Sequence, residues 1–367
     1  MLVQIHMIQN HAPSNLNRDD TGSPKEALFG GVNRARISSQ CLKRTIRQSE
    51  VFRDAMAGHL GVRTRRLPLE IEAILRRRGV ADEAVAAITL KATIFGSDKE
   101  SEDSTTRQLI FLGSDEVNSL ADQLLGLYEA DPKIFAKMKK DELEKQVKTA
   151  LPRSVDIALF GRMTTSATFE DVQAAAQVAH AISTTRVEHQ FDYFTAVDDL
   201  KGDAEDDRGA GMIGDVEFNS ATYYKYFAID VDGLIENLGG DAEMAHRAVA
   251  AFLEAAALAA PTGKQNNFAA HNPPDAILVE LSQSHVPVSY ANAFVEPVRA
   301  SASADVVAAS VQRLSDYAAQ LNRAYGLARR AFALCPRGMT IAEAQPLETL
   351  EALAHAVTAE LSAVPVG

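Results

Sequence analysis

Residues Leu16 to Arg47 read LNRDDTGSPKEALFGGVNRARISSQCLKRTIR and concentrate positive charge in an acidic chain. Between Pro24 and Ser49 there are six lysines and arginines against one glutamate, a local balance of +5. The whole chain of 367 residues carries 37 basic and 49 acidic side chains, a formal net charge of −12. Cationic charge gathered in one place while the remainder is acidic indicates a localised site for a polyanion.

The first half of the basic stretch predicts a turn followed by a short strand. Phe29-Gly30-Gly31 is a turn signal. Residues 33–37 (NRARI) alternate in character, which puts Arg34 and Arg36 on one face of a strand and the apolar residues on the other. We therefore expect both arginines to point toward the same partner.

The second half predicts an amphipathic helix. Ser38 and Ser39 are residue types that cap helix N-termini, and their hydroxyls and the free N–H groups of the first turn can also take a phosphate. A helix from there buries Leu42 and Ile46 on one side. The opposite arc then carries Gln40, Lys43, Arg44 and Arg47. Spacing alone leaves two interpretations open, a nucleic-acid contact or an ordinary surface helix with solvated charges.

The motifs in and around this stretch resemble the CasC family, the backbone subunits of the type I-E CRISPR surveillance complex, Cascade. The similarity lies in PSNLNRDD (residues 13–20), FGG (residues 29–31) and the run from Arg34 to Arg44. A VDIALxGRM-type segment follows at residues 155–163. The resemblance extends over residues 1–50, 151–227 and 263–300.

The resemblance implies an α+β fold shaped like a right hand. Its palm would be ferredoxin-like, of the RNA-recognition-motif type, with a helical fingers insertion and a β-hairpin thumb. The implied divisions are a palm at 1–52, fingers at 53–150, the continued palm at 151–300 with the thumb near 186–225, and C-terminal helices packing on the palm at 301–367. The fingers assignment agrees with the helical character of the sequence between residues 53 and 151.

The implied function is to hold CRISPR RNA without cutting anything. Binding must tolerate any spacer sequence, so the protein should contact phosphates and sugars and leave base edges free. The residues expected to make those contacts are Arg18, Lys25, Arg34, Arg36, Ser38, Gln40, Lys43, Arg44, Arg47, Arg162 and Arg299. The expected partners are the CRISPR RNA, further copies of the chain head to tail, other Cascade subunits, and target DNA through pairing with the RNA.

Met163 and Phe194 are single apolar residues, for which a place in the core is the usual interpretation. The resemblance implies instead that both side chains wedge against a displaced base. Such wedges unstack a step at a cost of a few kcal/mol, which contacts elsewhere offset.

Asp19 and Asp20 leave open a different function, that of a metal-dependent, RNA-guided ribonuclease. Related backbone subunits of type III complexes cut RNA with an acidic residue, whereas the type I-E resemblance implies binding only. A turn in which the pair is salt-bridged to Arg18 is the structural alternative. We expect no catalytic residue, no metal and no cofactor.

Bulk properties exclude several other classes. The composition is 46% hydrophobic and 23% charged, as in globular proteins. Cys41 and Cys335 are too few and too far apart for a disulfide framework or a zinc site. No signal-type N-terminus or apolar run of membrane-spanning length is present, so we expect a cytoplasmic protein with no membrane partner. A G-x-G-x-x-G pattern at 209–214 lacks the strand-to-helix context of a dinucleotide site, and we interpret it as the tip of the hairpin.

Further element predictions come from periodicity. We expect a strand at Leu2–Gln9, helices beginning at Leu67 and Asp82, and a strand at Ala276–Ser282. The remaining predicted elements are a strand-like segment at 151–161, a helix at 171–182, β-rich stretches at 191–197 and 216–229 around a loop at 200–214, a helix at 242–260, one or two helices at 304–334 and a last helix at 347–361.

Overall fold

The computed structural model describes residues 1–95, 104–149, 154–164, 166–196 and 212–363. They divide into two compact units. The first unit contains Met1–Phe52, Val178–Ala228 and Phe252–Leu361. The second contains Arg53–Gln177 and Ile229–Ala251, with Ser362 and Ala363. No helix among the described residues is long and apolar enough to cross a membrane.

The strands in chain order are β1 (Leu2–Ser14), β2 (Glu26–Phe29), β3 (Val32–Ile37), β4 (Val62–Thr64), β5 (Ile110–Leu112), β6 (Ala176–Val178), β7 (Ala181–Ser183), β8 (Gln190–Ala196), β9 (Met212–Asp230), β10 (Ala276–Ser282), β11 (Arg330–Leu334) and β12 (Gln345–Leu347). The α-helices are α1 (Ser39–Gln48), α2 (Glu50–Ala55), α3 (Leu67–Arg77), α4 (Asp82–Ala92), α5 (Ser114–Ala130), α6 (Pro132–Lys137), α7 (Lys140–Gln146), α8 (Val155–Phe160), α9 (Val231–Asn237), α10 (Ala242–Leu258), α11 (Gln265–Phe268), α12 (Val306–Tyr325) and α13 (Leu350–Ala363). A 3₁₀ turn covers Ala291–Phe294.

The first unit is built on a mixed sheet in the order β12-β11-β10-β1-β9-β7-β3-β2. The central strand β1 pairs antiparallel with β10, from Leu2 opposite Ser282 to Ile8 opposite Ala276. Four other neighbouring pairs are also antiparallel: β10–β11, β2–β3, β3–β7 and β7–β9. The strands β11 and β12 run parallel. The predicted α+β class is therefore confirmed, as a large mixed sheet with helices.

β1 is buried on both faces although its sequence alternates apolar and polar residues. Gln4 and His6 have no exposed surface. The Gln4 side-chain oxygen accepts a hydrogen bond from the hydroxyl of Tyr226 at 2.8 Å, and the His6 ring lies 2.8 Å from the hydroxyl of Tyr224. Because buried polar groups need partners, this face of the sheet holds a polar network and does not face solvent.

Helix α12 covers that face of the sheet. Its N-cap Asp305 accepts a hydrogen bond from the N–H of Ala308 at 2.8 Å, and Gly326, whose φ of 62° suits a glycine, follows its last residue, Tyr325. Val311 and Leu314 pack in one cluster with residues of β1, β9 and β10. The helix thus anchors the sheet on which the basic stretch is mounted.

The second unit has its own apolar core. Helices α3, α4 and α5 contribute buried residues at helical spacing, such as Leu67, Ile71 and Leu75 of α3. A two-stranded ribbon pairs β4 with β5, with Val62 opposite Leu112 and Thr64 opposite Ile110. The first unit gives way to the second between Phe52 and Arg53, and the second unit runs on to Gln177. The division into palm and fingers that the resemblance implies stays a prediction.

Three predicted elements are wrong. Residues 155–160 form the helix α8, ended by Gly161 at φ 77°, because a short apolar run does not distinguish a buried strand from a buried helix. The predicted helix at 171–182 is replaced by β6 and β7, where Ile182 pairs with Tyr224 and sheet pairing overrides alanine propensity. Residues 304–334, predicted as one or two helices, hold one helix that ends at Tyr325, and the strand β11 follows it.

The two β-rich stretches form an antiparallel pair, as their spacing predicts. Strand β8 pairs with β9 from Gln190 opposite Phe218 to Ala196 opposite Met212. Residues 200–211 of the predicted loop at 200–214 lie outside the described residues, and so do the first three residues of the glycine pattern at 209–214. Met212–Gly214 begin β9. The thumb role of this pair, like the ferredoxin-like palm, stays a prediction.

Candidate nucleic-acid interface

Helix α1 has the two faces that its sequence predicts. Ser38 is the N-cap, and its hydroxyl accepts a hydrogen bond from the N–H of Cys41 at 3.3 Å. Leu42 and Ile46 are buried. On the other side Gln40 and Arg44 are exposed, and Lys43 and Arg47 are half-buried. The helix therefore presents one amide and three cationic groups while its apolar side is fixed in the core.

The loop before β2 is tied to the start of this helix. The side chain of Asn17 accepts a hydrogen bond from the N–H of Ser38 at 2.8 Å, and its carbonyl accepts one from the N–H of Lys25, also at 2.8 Å. Lys25 and Arg44 both act electrostatically on Cys41. Arg18, in the same loop, is exposed. Lys25 thus lies beside the basic face of α1 despite being 18 or more residues earlier in the chain.

Asp19 is held in a turn, and its partner is not Arg18. Its carboxylate accepts hydrogen bonds from the N–H of Thr21 at 2.9 Å, the hydroxyl of Thr21 at 2.8 Å and the N–H of Ser23 at 3.0 Å. The Thr21 hydroxyl and these backbone groups lower the pKa of Asp19. Within the described part of the chain, neither Asp19 nor Asp20 belongs to a set of three metal-ligating side chains.

Arg34 is buried, so the side chain that the resemblance assigns to RNA lies in the protein interior. Its guanidinium donates to the backbone carbonyls of Ser183 at 3.0 Å, Thr184 at 2.8 Å and Phe294 at 2.7 Å. Further bonds reach the carbonyls of Phe29 and Val295. Because every donor direction is used inside the protein, Arg34 clamps three segments together and has no group left for a phosphate.

Arg162 and Ser38, two further residues predicted to contact RNA, are buried as well. The side chain of Arg162 is 2% exposed and forms an ion pair with Glu116 at 2.7 Å. It also donates to the carbonyls of Phe111 at 3.0 Å and Glu170 at 2.6 Å. Ser38 is buried, and its hydroxyl caps α1. Both side chains therefore form their bonds within the fold.

Arg36 and Arg299 remain at the surface. Arg36 is half-buried, donates from Nε to the carbonyl of Glu26 at 3.0 Å, and lies 3.3 Å from a ring nitrogen of His180. Arg299 is exposed in the segment after the 3₁₀ turn. The predicted cationic contacts that lie where a nucleic-acid strand could reach them are therefore Arg18, Lys25, Arg36, Lys43, Arg44, Arg47 and Arg299.

Met163 is not a core residue, since 92% of it is exposed. Phe194 of β8 is 40% exposed and lies over Gly214, its cross-strand neighbour. A Cβ atom at position 214 would stand only 2.6 Å from the Phe194 ring, so glycine is needed there. Both side chains are accessible to a base, as a wedge requires.

Lys225 is a buried cation that sequence reasoning missed. It lies in β9, and burial lowers its pKa to about 8. It acts electrostatically on Cys41 of α1 and on His11 of β1. Burial and then the Lys225 charge lower the pKa of His11 to about 3, so the imidazole is neutral near pH 7. The signal in the sequence is a lysine inside the aromatic run YYKYF at residues 223–227.

The mixed sheet with its helices defines an α+β protein, and helix α1 gathers cationic side chains on an otherwise acidic chain. A profile of the CT1975-like protein family matches residues 3–359, and the chain belongs to that family. No curated protein matches the sequence.

Two solved structures resemble the chain over nearly its whole length. One, described as a CRISPR RNA-guided surveillance complex, pre-nicking, is 30% identical with a TM-score of 0.81, and the match covers 98% of this chain and 100% of that one. Another, described as a CRISPR RNA-guided surveillance complex, is 26% identical with a TM-score of 0.63, covering 98% of this chain and 99% of that one.

Proposed function

We propose that this chain is the non-catalytic backbone subunit of a type I-E CRISPR surveillance complex, Cascade, and that it holds CRISPR RNA. One observation carries the proposal: the polar face of α1 presents Gln40, Lys43, Arg44 and Arg47, with Lys25 beside it, on a chain of net charge −12. The similarity to chains from CRISPR RNA-guided surveillance complexes supports it.

In this proposal the chain binds the RNA backbone independently of the RNA sequence. Lysine and arginine side chains on α1 neutralise phosphates, which fixes the strand without reading its bases. The bases stay available, and recognition of target DNA is delegated to pairing with the RNA. The residues proposed to make the contacts are Arg18, Lys25, Arg36, Gln40, Lys43, Arg44, Arg47 and Arg299.

Copies of the chain would stack head to tail along the RNA in the cytoplasm. Such a heterologous interface does not close on itself, so the RNA and the end subunits must set the length of the filament. In this proposal the sheet is the ferredoxin-like palm, and the β8–β9 pair is the thumb that crosses the RNA held by a neighbour. Phe194 and Met163 would displace one base at regular intervals.

Lys43→Ala combined with Arg47→Ala is expected to weaken CRISPR RNA binding about tenfold, equally for all spacer sequences. The slope of log K against log salt should fall by roughly 1.4, since each contact with a single strand contributes about 0.7. The measurement is a salt titration with several spacers. Arg323→Ala with Arg330→Ala removes the same charge from exposed positions elsewhere in the first unit and is the control.

A loss that depends on spacer sequence would contradict phosphate-only contact. The non-catalytic part of the proposal is checked with the same complex, complementary RNA and Mg²⁺ or Mn²⁺. The RNA should stay intact. Cleavage that is abolished by Asp19→Ala or Asp20→Ala would establish the ribonuclease instead.

Phe194→Ala is expected to leave assembly on RNA intact while changing the chemical reactivity of bases at regular positions by about twofold or more, because the wedge that unstacks them is gone. Nucleotide-resolution probing of the assembled complex is the measurement. Phe191→Ala is the matched control, because alternation along β8 puts Phe191 on the opposite face. An unchanged pattern in Phe194→Ala would rule out the wedge.

A further inference from the structure

His189 lies between two carboxylates at the base of the β8–β9 pair. It directly precedes β8, and its Nδ1 contacts the carboxylate of Glu217 in β9. Its Nε2 contacts the carboxylate of Glu26 in β2. The strands β2 and β9 are not neighbours in the sheet, since β3 and β7 lie between them. One imidazole ring therefore joins the base of the β8–β9 pair to β2, at the end of the sheet.

Other bonds at the same end of the pair link neutral groups. The N–H of Val187 donates to the carbonyl of Asn33 in β3 at 3.1 Å, and the side chain of Asn15 donates to the carbonyl of Glu217 at 2.9 Å. Amide groups do not titrate in the physiological range, so these bonds are the same at every pH near neutrality. His189 adds a contact whose strength changes with protonation.

The groups that face the ring come from three strands. The side chains of His189, Glu26 and Glu217 are only 29%, 24% and 17% exposed. The charged groups against the ring are Glu26 from β2 and Glu217 from β9. From β3 comes a neutral amide, because the side chain of Asn33 donates to the second oxygen of Glu26 at 3.1 Å. The ring thus lies in a partly buried, acidic environment.

This environment favours the charged form of the ring. Burial lowers the pKa of His189, but the hydrogen bonds and charges of the two carboxylates outweigh it and raise the pKa above its ordinary value of 6.5. The charged residues beside it in the sequence, Arg186 and Glu188, are exposed. Their effect on the ring is screened by solvent.

Only the protonated ring can bond both carboxylates. An ionised carboxylate accepts hydrogen bonds and donates none, and a neutral imidazole has a single N–H to donate. In the neutral ring one nitrogen lone pair would therefore face a carboxylate oxygen, and that contact is repulsive. The imidazolium donates from both nitrogens, and its charge strengthens both bonds.

We propose that His189 is a pH-dependent latch, which fixes the base of the β8–β9 pair to β2 while the ring is protonated and releases it when the ring is neutral. Because folding raises the pKa above 6.5, the stabilisation is complete below that pH and is lost as the pH rises through the folded pKa. The consequence for RNA rests on the proposed function: β8 carries Phe194, so the latch would position the wedge against its base.

The test measures amide hydrogen exchange of the full-length chain without RNA, in peptides covering residues 190–196 and 212–218. Rates are corrected for the intrinsic effect of pH on exchange. Protection of these strands should fall about threefold or more between about pH 6 and about pH 8.5, since a partly buried ion pair contributes that much. His189→Gln removes the titrating ring, so its protection should not change with pH. His355→Gln, at an exposed position in α13, is the control and should behave like wild type.

Glu26→Gln separates a latch from a merely structural contact. Its side-chain amide can donate to the neutral ring while the other ring nitrogen still donates to Glu217. This variant should therefore keep at about pH 8.5 the protection that wild type loses. Glu217→Gln makes the same exchange at the other ring nitrogen and serves if Glu26→Gln does not fold. Wild-type protection that is equal at both pH values, or Gln variants that lose protection as wild type does, would overturn the latch.

The role of the latch on RNA has its own readout. In the assembled complex, the reactivity of the displaced bases relative to the other bases should differ between the two pH values in wild type and stay constant in Glu26→Gln. Equal relative reactivity in wild type would overturn the positioning role, while the latch itself is judged on hydrogen exchange. If the chain binds no CRISPR RNA, the proposed function fails, and the exchange experiment still decides whether the latch exists.

Discussion

Arg34→Ala is expected to lower the free energy of unfolding by at least about 3 kcal/mol, one of the largest effects of any substitution in the basic stretch. The Arg34 guanidinium donates to five carbonyls, from Phe29, Ser183, Thr184, Phe294 and Val295. Alanine leaves those acceptors without the donor that joins them. Urea unfolding followed by circular dichroism measures the loss.

Two variants sharpen this experiment. Arg34→Lys keeps the charge but replaces a planar fork by one ammonium group, so it should recover only part of the loss. Arg44→Ala, on the exposed face of α1, should change stability by no more than about 0.5 kcal/mol. An Arg34→Ala protein within 1 kcal/mol of wild type would mean that the five-carbonyl clamp does not form in solution.

Arg34 also shows how a binding assay can mislead. Its replacement should reduce RNA binding because the clamp between β3, the segment after β7 and the 3₁₀ turn is lost, even though no phosphate contact is removed. Gly30 belongs to the same junction, since a Cβ atom there would stand 1.8 Å from the carbonyl oxygen of Val295. Loss of RNA binding in Arg34 variants should therefore follow loss of folded protein, whereas Lys43 and Arg47 variants should lose binding while folded.

The helices and strands whose ends and buried faces are set by nearby residues could be predicted from the sequence. The N-cap Ser38 and the spacing of Leu42 and Ile46 fix α1 within a dozen residues. The strand at Ala276–Ser282 and the helix starts at Leu67 and Asp82 were predicted from their own residues and are confirmed. The resemblance to a CRISPR backbone family supplied the class of complex, which composition and periodicity alone did not.

The roles of individual arginines depended on distant parts of the chain and could not be predicted locally. Alternation puts Arg34 and Arg36 on one face of β3, yet four of the five carbonyls that Arg34 bonds lie 149 or more residues further on. Arg162 is buried by Glu116, 46 residues before it.

Glu280 holds a buried charge network in the core of the first unit. Its carboxylate accepts hydrogen bonds from the hydroxyl of Tyr290 at 2.8 Å and from the side-chain N–H of Asn322 at 3.2 Å, and it forms an ion pair with Arg329. The side chains of Glu280 and Arg329 are only 2% and 3% exposed. Burial lowers the pKa of the neighbouring His6, so Arg329 is the cation that balances Glu280 near pH 7.

Glu280→Ala is expected to lower the free energy of unfolding by about 3–5 kcal/mol, because it leaves the guanidinium of Arg329 buried without a counter-charge. The double variant Glu280→Met with Arg329→Met should be more stable than Glu280→Ala, since it removes both charges and fills the space. Equilibrium unfolding at pH 7 measures all three proteins. A double variant no more stable than the single one would contradict the view that the unpaired charge causes the loss.

The dependence on pH gives this network a separate signature. Burial alone would raise the pKa of Glu280, but His6, Arg329 and the Tyr290 hydroxyl outweigh it and lower the pKa to about 2, from an ordinary value of 4.5. A carboxyl whose pKa is lowered by folding stabilises the folded protein at pH values above its unfolded pKa, and this stabilisation is lost as the pH falls toward the folded pKa. For the shift of Glu280 the stabilisation is about 3 kcal/mol. The stability difference between wild type and Glu280→Gln should therefore be constant from about pH 7 to 5 and shrink between about pH 4.5 and 2. Glu348→Gln, at an exposed position, should show no such convergence. A difference that stays constant down to pH 2 would mean that folding does not lower the pKa of the Glu280 carboxyl.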